Sequence, residues 1–228
     1  MILAYDTSSD ILSMALFKDE KKFVEFESPL FTKHSTSLVP IMDAFLKKQK
    51  KSLADLEVLA VGLGPGSFTG LRVGITVAKV LAYVLKKPVM GISSLEAIAR
   101  GASSWNGPVA VILDARKEKL YAAVYEGKKT IQKPVLTTLG ELLKELKKPT
   151  LFVGDAVVKY TDQIRELGAR SYHQVMDEAK FCTPKALSIA RIARERLEQK
   201  KKFSDPFRLE PMYLHARDCN VMRAVTHE

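Results

Sequence analysis

Apolar and polar residues recur at two different periods along this chain, and the switches between them outline its elements. Short apolar-rich runs at Ile2 to Thr7, Leu12 to Phe17 and Lys22 to Glu27 are separated by the turn signals "SSD" and "KDE", so the chain opens as three strands in an antiparallel meander. From Ser35 to Lys48 the period lengthens. Leu38, Ile41, Met42 and Phe45 follow the spacing of one helix face, and closing lysines suit the negative C-terminal end of the helix dipole. "LEVLAVG" is an unbroken apolar run and reads as a buried strand. A helix over Gly70 to Leu85, the strand "KPVMGI" and a helix opened by Ser93 and Glu96 as a capping box complete the first half.

Turn residues "NGP" at 106–108 mark a boundary, after which the plan repeats in shortened form. "VAVILDARKEKLYAAVYEGKKTIQKP" reads as three strands with turns at "RKEK" and "EGKK". Thr138 with Glu141 caps a short helix, "TLFVGD" is a strand, and Thr183 with Pro184 starts a helix running to Gln199. Two halves built alike predict a duplicated α/β fold: an N-terminal lobe over 1–106 and a reduced C-terminal lobe over 107–228. The tail from Ser204 to Glu228 has little periodicity and is expected to be loosely held, at least near its end.

Between the two halves of the first βαβ unit lies "VGLGPGSFTGLRVG", residues 61–74. A P-loop needs lysine directly after its last glycine, and here Leu71 and Arg72 follow Gly70; the dinucleotide fingerprint fails because Ser67 stands where the third glycine belongs. Contact with an anion through backbone amides at the helix start is the weaker remaining use. Steps of four from Gly70 give Gly70, Gly74, Ala78 and Ala82, one side of a helix almost without side-chain bulk. Glycine inside a helix costs about 1 kcal/mol relative to alanine, so the stripe needs a packing reason. It packs either on this chain's own helix or sheet, or on a partner. The partner reading predicts an interface of Leu38, Ile41, Met42, Phe45, Gly70, Val73, Gly74, Val77, Ala78 and Leu81, broken by Gly74→Arg with the fold intact.

With 228 residues, 46% of them hydrophobic, the chain is long enough to bury a core. Its net charge of +10, of which +7 falls from Pro108 onward, admits acidic partners, although the lysine runs lack interleaved aromatics and read first as solvated helix ends. Two distant cysteines, Cys182 and Cys219, give neither a disulfide framework nor metal spacing, and with an aspartate at position 6 no signal peptide is expected in "MILAYDTSSD". No stretch is expected to span a membrane, and the reading is cytoplasmic.

Four strings, "ILAYDTSS", "GLGPGSFTGLRVGITVAKVLA", "DARKEKLY" and "EPMYLHARD", together resemble the TsaB (YeaZ) family in its order and over nearly the whole chain. The family loop here comprises Gly64, Pro65, Gly66, Ser67, Thr69 and Arg72. The resemblance implies the fold of actin, Hsp70 and the sugar kinases (ASKHA), two related lobes each with a sheet flanked by helices. It implies a non-catalytic subunit in the synthesis of N6-threonylcarbamoyladenosine (t6A) at tRNA position 37, bound directly to the catalytic TsaD. TsaE joins that pair, TsaC supplies the activated intermediate, and tRNA is met through the complex. The apolar helix face is too large to leave bare, so a homodimer through the same helices is expected where TsaD is absent; no cofactor is expected in the isolated chain, with ATP and Mg only in the complex. TsaD carries an HxxxH metal pair beyond the loop, where this chain has Ser94 and Ile98, neither a credible ligand.

Asp6 and Asp114 end the first strand of each lobe, where kinases of this fold place carboxylates round magnesium and phosphate. "DTSSD" lacks the glycine of their first phosphate loop, so relict structural roles are favoured over a nucleotide-dependent kinase or ATPase, the alternative reading. Arg116 could serve Asp114, a partner or a phosphate. His34, His173, His215 and His227 are scattered and make no zinc motif, and Ser67 and Thr69 read as loop and cap hydroxyls. Direct tRNA binding by the basic second half is a further rival.

Overall fold

The computed structural model describes residues 1–29, 34–168, 174–176, 181–199 and 203–214. Two five-stranded sheets carry the chain. The first has the order β3-β2-β1-β4-β5, from Ile2–Asp6 (β1), Ile11–Asp19 (β2), Lys22–Pro29 (β3), Val58–Gly62 (β4) and Val89–Ile92 (β5). The second has the order β10-β9-β6-β7-β8, from Pro108–Asp114 (β6), Leu120–Glu126 (β7), Lys129–Thr137 (β8), Leu151–Val153 (β9) and Gln174–Val175 (β10). In each, the central strand pairs antiparallel with the next strand and parallel with the first strand reached by a crossover. The duplication expected from the pattern is therefore present strand for strand.

Parallel neighbours cannot be joined by a tight turn, so helices make the crossovers. They are α1 (His34–Lys48), α2 (Phe68–Leu85), α4 (Leu139–Glu145) and α5 (Val157–Gly168). α5 is absent from the sequence reading, although Val157, Tyr160 and Ile164 at helical spacing are its buried face against the second sheet. α4 opens on the expected capping box, with both reciprocal bonds of Thr138 and Glu141 present. In α3 (Ser94–Gly101), Ser93 accepts from the Glu96 amide, but the Glu96 carboxylate is drawn to Arg196 at 2.6 Å, so the predicted box is half formed.

β1 is buried at all five positions because both faces of its sheet are covered. One face lies under α1 and α2, with Leu38, Met42, Phe45, Ile75, Ala78 and Ala82 in a core around Leu3, Tyr5 and Leu59. The other lies under α6 (Ala186–Glu198), whose Ala186, Ile189, Ala190 and Ala193 meet Ile2, Ala4, Ala15 and Ala60. The chain thus returns to its first lobe, and 107–228 is not one structural unit. The second lobe spans 108–176, and α6 goes back because α1 and α2 leave the far face of the first sheet bare. α6 starts at Ala186, two residues later than Pro184.

Residues 203–214 correct the expectation of a loose tail. Ser204 donates its amide to the Val89 carbonyl at 2.9 Å, Met212 donates to Leu63 at 2.8 Å, and Leu209 is buried in the first core. This strap covers the open edge of β5, an unpaired row of backbone groups otherwise. The rest of the tail, 215–228, lies outside the described residues.

α3 wedges between the lobes. Leu95, Ile98 and Ala99 pack on the second sheet, and Ala97 packs toward α6. Glu195 of α6 holds Arg100 of α3 and Lys128 of the β7–β8 turn, the latter at 3.1 Å. One further expectation changes here: α2, at 18 residues, is long and apolar enough by composition to cross a membrane. In the fold its smallest residues lie on β1, and α1 and the strap flank it.

Candidate functional site

The glycine loop links β4 to α2 and lies along the chain just after β1. Ser67 donates its amide to Ser8 at 2.7 Å and caps α2 by accepting from the Gly70 amide at 3.2 Å, the role expected of its hydroxyl. Pro65 is buried after a cis Gly64–Pro65 peptide, and Gly66 lies against Ser8, where a Cβ would come within 2.1 Å of the Ser8 carbonyl oxygen. Thr69 is exposed on the first turn of α2 and lines the cleft described below rather than capping.

The small-residue stripe faces inward. A Cβ on Gly70 would lie 2.0 Å from the Thr7 carbonyl oxygen, and one on Gly74 would lie 2.2 Å from Thr7 Oγ1. Thr7 Oγ1 donates to the Gly70 carbonyl and Tyr5 Oη to the Gly74 carbonyl, each at 2.8 Å. These are tertiary bonds from β1 and the residue that follows it to a helix backbone, and any side chain on the stripe would hold the two apart. Gly70, Gly74 and Ala78 therefore belong to this chain's own core, as do Leu38, Met42 and Phe45, and the partner set is corrected accordingly. Gly74→Arg cannot spare the fold. Ile41, Val73, Val77 and Leu81 are half-buried at the margin of the core.

The open side of α2 is the opposite one. Val80, Tyr83 and Val84 are 54%, 65% and 66% exposed, and Phe68 is exposed at the first turn. The strap adds Phe207, 71% exposed and edge-on to Tyr83 with ring centroids 5.4 Å apart, and Tyr213, 5.4 Å from Phe68. Arg72 lies 3.8 Å over the Phe68 ring and donates Nε–H to Tyr213 Oη at 3.0 Å. On α1, Val39 is exposed. The sequence signal for this ridge was Val80 and Val84 one turn apart, away from the glycines; nothing local announces Phe207.

Asp6 is sealed inside the first lobe. Its carboxylate accepts from the Ser8 amide at 2.7 Å, the Ser8 hydroxyl at 2.6 Å and the Ser94 hydroxyl at 2.6 Å, and Ser94 in turn accepts from the Gly64 amide at 3.0 Å. A Cβ at Gly62 would stand 1.8 Å from Asp6 Oδ2, so the strand beside it is closed down on the carboxylate. Burial pushes the Asp6 pKa up, and the Ser8 and Ser94 hydroxyls oppose that shift. One buried acid therefore ties β1, the glycine loop and the start of α3 together. Ser94 is fully buried within this bonding and Ile98 is core, so the two positions of the absent metal pair do structural work.

A cleft of about 460 Å³ runs between the lobes, lined by Ser8, Asp10, Ser67, Asp114, Arg116 and Asp155 among others. Asp6 is not among its lining residues, so the two strand-end carboxylates do not meet in the cleft. Asp114 accepts the Arg116 amide at 2.9 Å and gives its own amide to Asp155 Oδ1 at 2.9 Å. The Arg116 contact with Asp114 is thus made by its backbone. Burial, together with the charges of Asp114 and Asp10, raises the Asp155 pKa against its hydrogen bonds to backbone amides. Arg116, Lys117 and Glu118 all take left-handed φ, 64°, 48° and 57°, in the tight turn between β6 and β7.

Among the described residues no three His, Cys, Asp or Glu side chains are placed to hold a metal ion. Cys182 lines the cleft, and His34 opens α1. His173, His215, His227 and Cys219 lie outside the described residues.

Two lobes repeating one sheet plan about a cleft, with a Gly-Pro-Gly loop leading into the second crossover helix, define a chain of the actin, Hsp70 and sugar-kinase class. Residues 30–206 match the family model for TsaD: tRNA N6-adenosine threonylcarbamoyltransferase. Within that class the chain belongs to the TsaB (YeaZ) family. It is 31% identical over 226 residues to the tRNA threonylcarbamoyladenosine biosynthesis protein TsaB of Bacillus subtilis (strain 168), covering 96% of this chain and 95% of that protein. The TsaB of Escherichia coli (strain K12) is also 31% identical, over 93% of this chain and 94% of that one. Among solved structures, YeaZ from Pseudomonas aeruginosa superposes with a TM-score of 0.76 at 22% identity, over 93% of this chain and 99% of that chain.

Proposed function

We propose that this chain is an accessory subunit for t6A formation in tRNA, which docks on the catalytic TsaD through the open ridge of α2 and its flanks and holds TsaD in an active arrangement. The observation that carries this reading is the ridge itself. Val80, Tyr83 and Val84 lie side by side on one helix, uncovered, between two elements that cover the rest of α2. A contiguous apolar face of this kind is a docking surface. The docking set accordingly shifts from the glycine stripe to Val73, Thr76, Val80, Tyr83 and Val84.

The chain has no turnover of its own on this reading. The metal-pair positions are a buried hydroxyl and an aliphatic core residue, and the carboxylate that should meet magnesium is saturated by three donors inside the lobe. Asp6 therefore does not fit a magnesium-nucleotide site, and ATP and Mg belong to the complex. TsaE and tRNA join through that complex, and in the absence of TsaD the same ridge pairs two copies of this chain.

The test is reconstitution of threonylcarbamoylation with TsaD, TsaE, TsaC, tRNA, threonine, bicarbonate and ATP. Product forms with the wild-type chain and is lost both without it and with Val80→Asp/Val84→Asp. These sites are exposed, so the variant's stability should change by no more than about 0.5 kcal/mol per site. Full activity without the chain, or with the ridge variant, overturns the reading.

A further inference from the structure

The ridge and the strap enclose a shallow groove of about 610 Å³ lined by Ala82, Tyr83, Val84, Pro88, Pro206 and Phe207. Phe207 is held ready. It meets Tyr83 edge-on, its amide donates to Asp205 at 2.9 Å, and Leu209 two residues on is locked in the core. An exposed aromatic fixed before binding loses little entropy on association. The charges around this face are one-sided. Lys86 and Lys87 line the groove, Arg72 and Lys79 reach the strap and Arg208 follows Phe207 along it, against Asp205 in the groove and Glu210 on the strap. Asp205 is shared with Arg208 at 3.8 Å. Arg72 and Lys79 donate to neutral oxygens, Tyr213 Oη and the Phe207 carbonyl, so these bonds fix the strap without cancelling charge.

We propose that this basic border selects the occupant of the face: an apolar helix edged with acidic residues on a different chain, in preference to a second copy of this one. The inference rests on the docking reading above. In a two-fold dimer the same patch lies on both sides, so a positive border meets a positive border. An acid-edged partner meets it with the opposite sign, and charge complementarity of that kind favours the right partner and suppresses the wrong one.

Salt separates the two cases because it screens repulsion and attraction alike. The measurement is sedimentation velocity of the full chain alone, and of the chain with TsaD as probe, from about 0.05 M to about 0.5 M NaCl, a range over which the Debye length falls from roughly 14 Å to 4 Å. The expected result is self-association that tightens about tenfold as salt rises and TsaD association that weakens about tenfold, each the work of one or two screened charge pairs. Lys86→Gln/Lys87→Gln/Arg208→Gln leaves two cations against two acids. It should tighten the homodimer several-fold, weaken the TsaD complex, and flatten both salt slopes. Self-association that weakens with salt, or a neutralised variant that moves both associations in the same direction, overturns the charge proposal. Absence of TsaD binding at every salt concentration overturns the docking reading instead, while the self-association arm still reports the charge effect.

Discussion

Whether the glycine stripe of α2 serves the fold or a partner is decided by one residue, Thr7, and by a pair of alanine substitutions. At Gly74 a new methyl would lie 2.2 Å from Thr7 Oγ1, while the Thr7 Cβ and Cγ2 are at 3.3 and 3.4 Å. At Gly70 it would lie 2.0 Å from the Thr7 carbonyl oxygen, which cannot rotate away. Alanine gains about 1 kcal/mol over glycine within a helix. Against this stand about 1–3 kcal/mol for overpacking and about 1 kcal/mol for the displaced Thr7 hydrogen bond to Gly70. Gly74→Ala is therefore expected to destabilise by roughly 1–3 kcal/mol, a urea midpoint lower by about 0.3–1 M at a slope near 3 kcal/mol/M. Thr7→Ala removes the obstructing oxygen, so Thr7→Ala/Gly74→Ala should recover at least half of the Gly74→Ala loss. The same second substitution should not rescue Gly70→Ala, because the obstruction there is backbone. Equilibrium urea unfolding of the wild type and the five variants gives both cycles. A Gly74→Ala variant as stable as the wild type, or one that Thr7→Ala does not relieve, would refute the inward packing and return the stripe to a partner.

Other expectations follow from the same contacts. Ser94→Ala takes a donor from buried Asp6 and an acceptor from the Gly64 amide; at about 1–3 kcal/mol for each group it should lower stability by about 2–6 kcal/mol in urea titration. Asp6 has its pKa raised in the fold, so its contribution to stability is full below the unfolded value and is lost as pH rises through the folded value. The stability of Asp6→Asn relative to the wild type should accordingly increase from acid to neutral pH, and a pH-independent difference in urea midpoints would contradict the burial of that charge. Leu209→Ala should cost about 2–5 kcal/mol and open the strap to limited proteolysis near Phe203 to Phe207, whereas Phe207→Ala, removing an exposed ring, should leave thermal stability nearly unchanged.

Much of the fold was legible because its signals are local. Strand alternation, the turns at "SSD", "RKEK" and "EGKK", and the Thr138–Glu141 box each involve residues within a few positions of one another and reappear as read, while the "KDE" turn moves to Glu20–Lys21 because β2 runs on through Asp19. Boundaries moved where a distant group competed: Glu96 left its capping box for Arg196, a hundred residues away. α5 carries its apolar face directly after the glycine turn at Gly154, with no side-chain cap to mark its start. The reading of Ser94 and Ile98 rests on residue chemistry alone, since neither side chain is a credible ligand for a transition metal.

The sequence by itself determined the duplicated lobes, the glycine loop, the family and the small-residue stripe. The tertiary structure alone decided what the stripe touches, that Asp6 turns inward, that α6 and the strap rejoin the first lobe, and that Phe207 borders the open ridge. The physical reason is that periodicity shows which face of an element is apolar, but a face carries no label for its partner. Thr7 and Gly74, or Tyr83 and Phe207, meet only after the sheet has formed and left those positions uncovered.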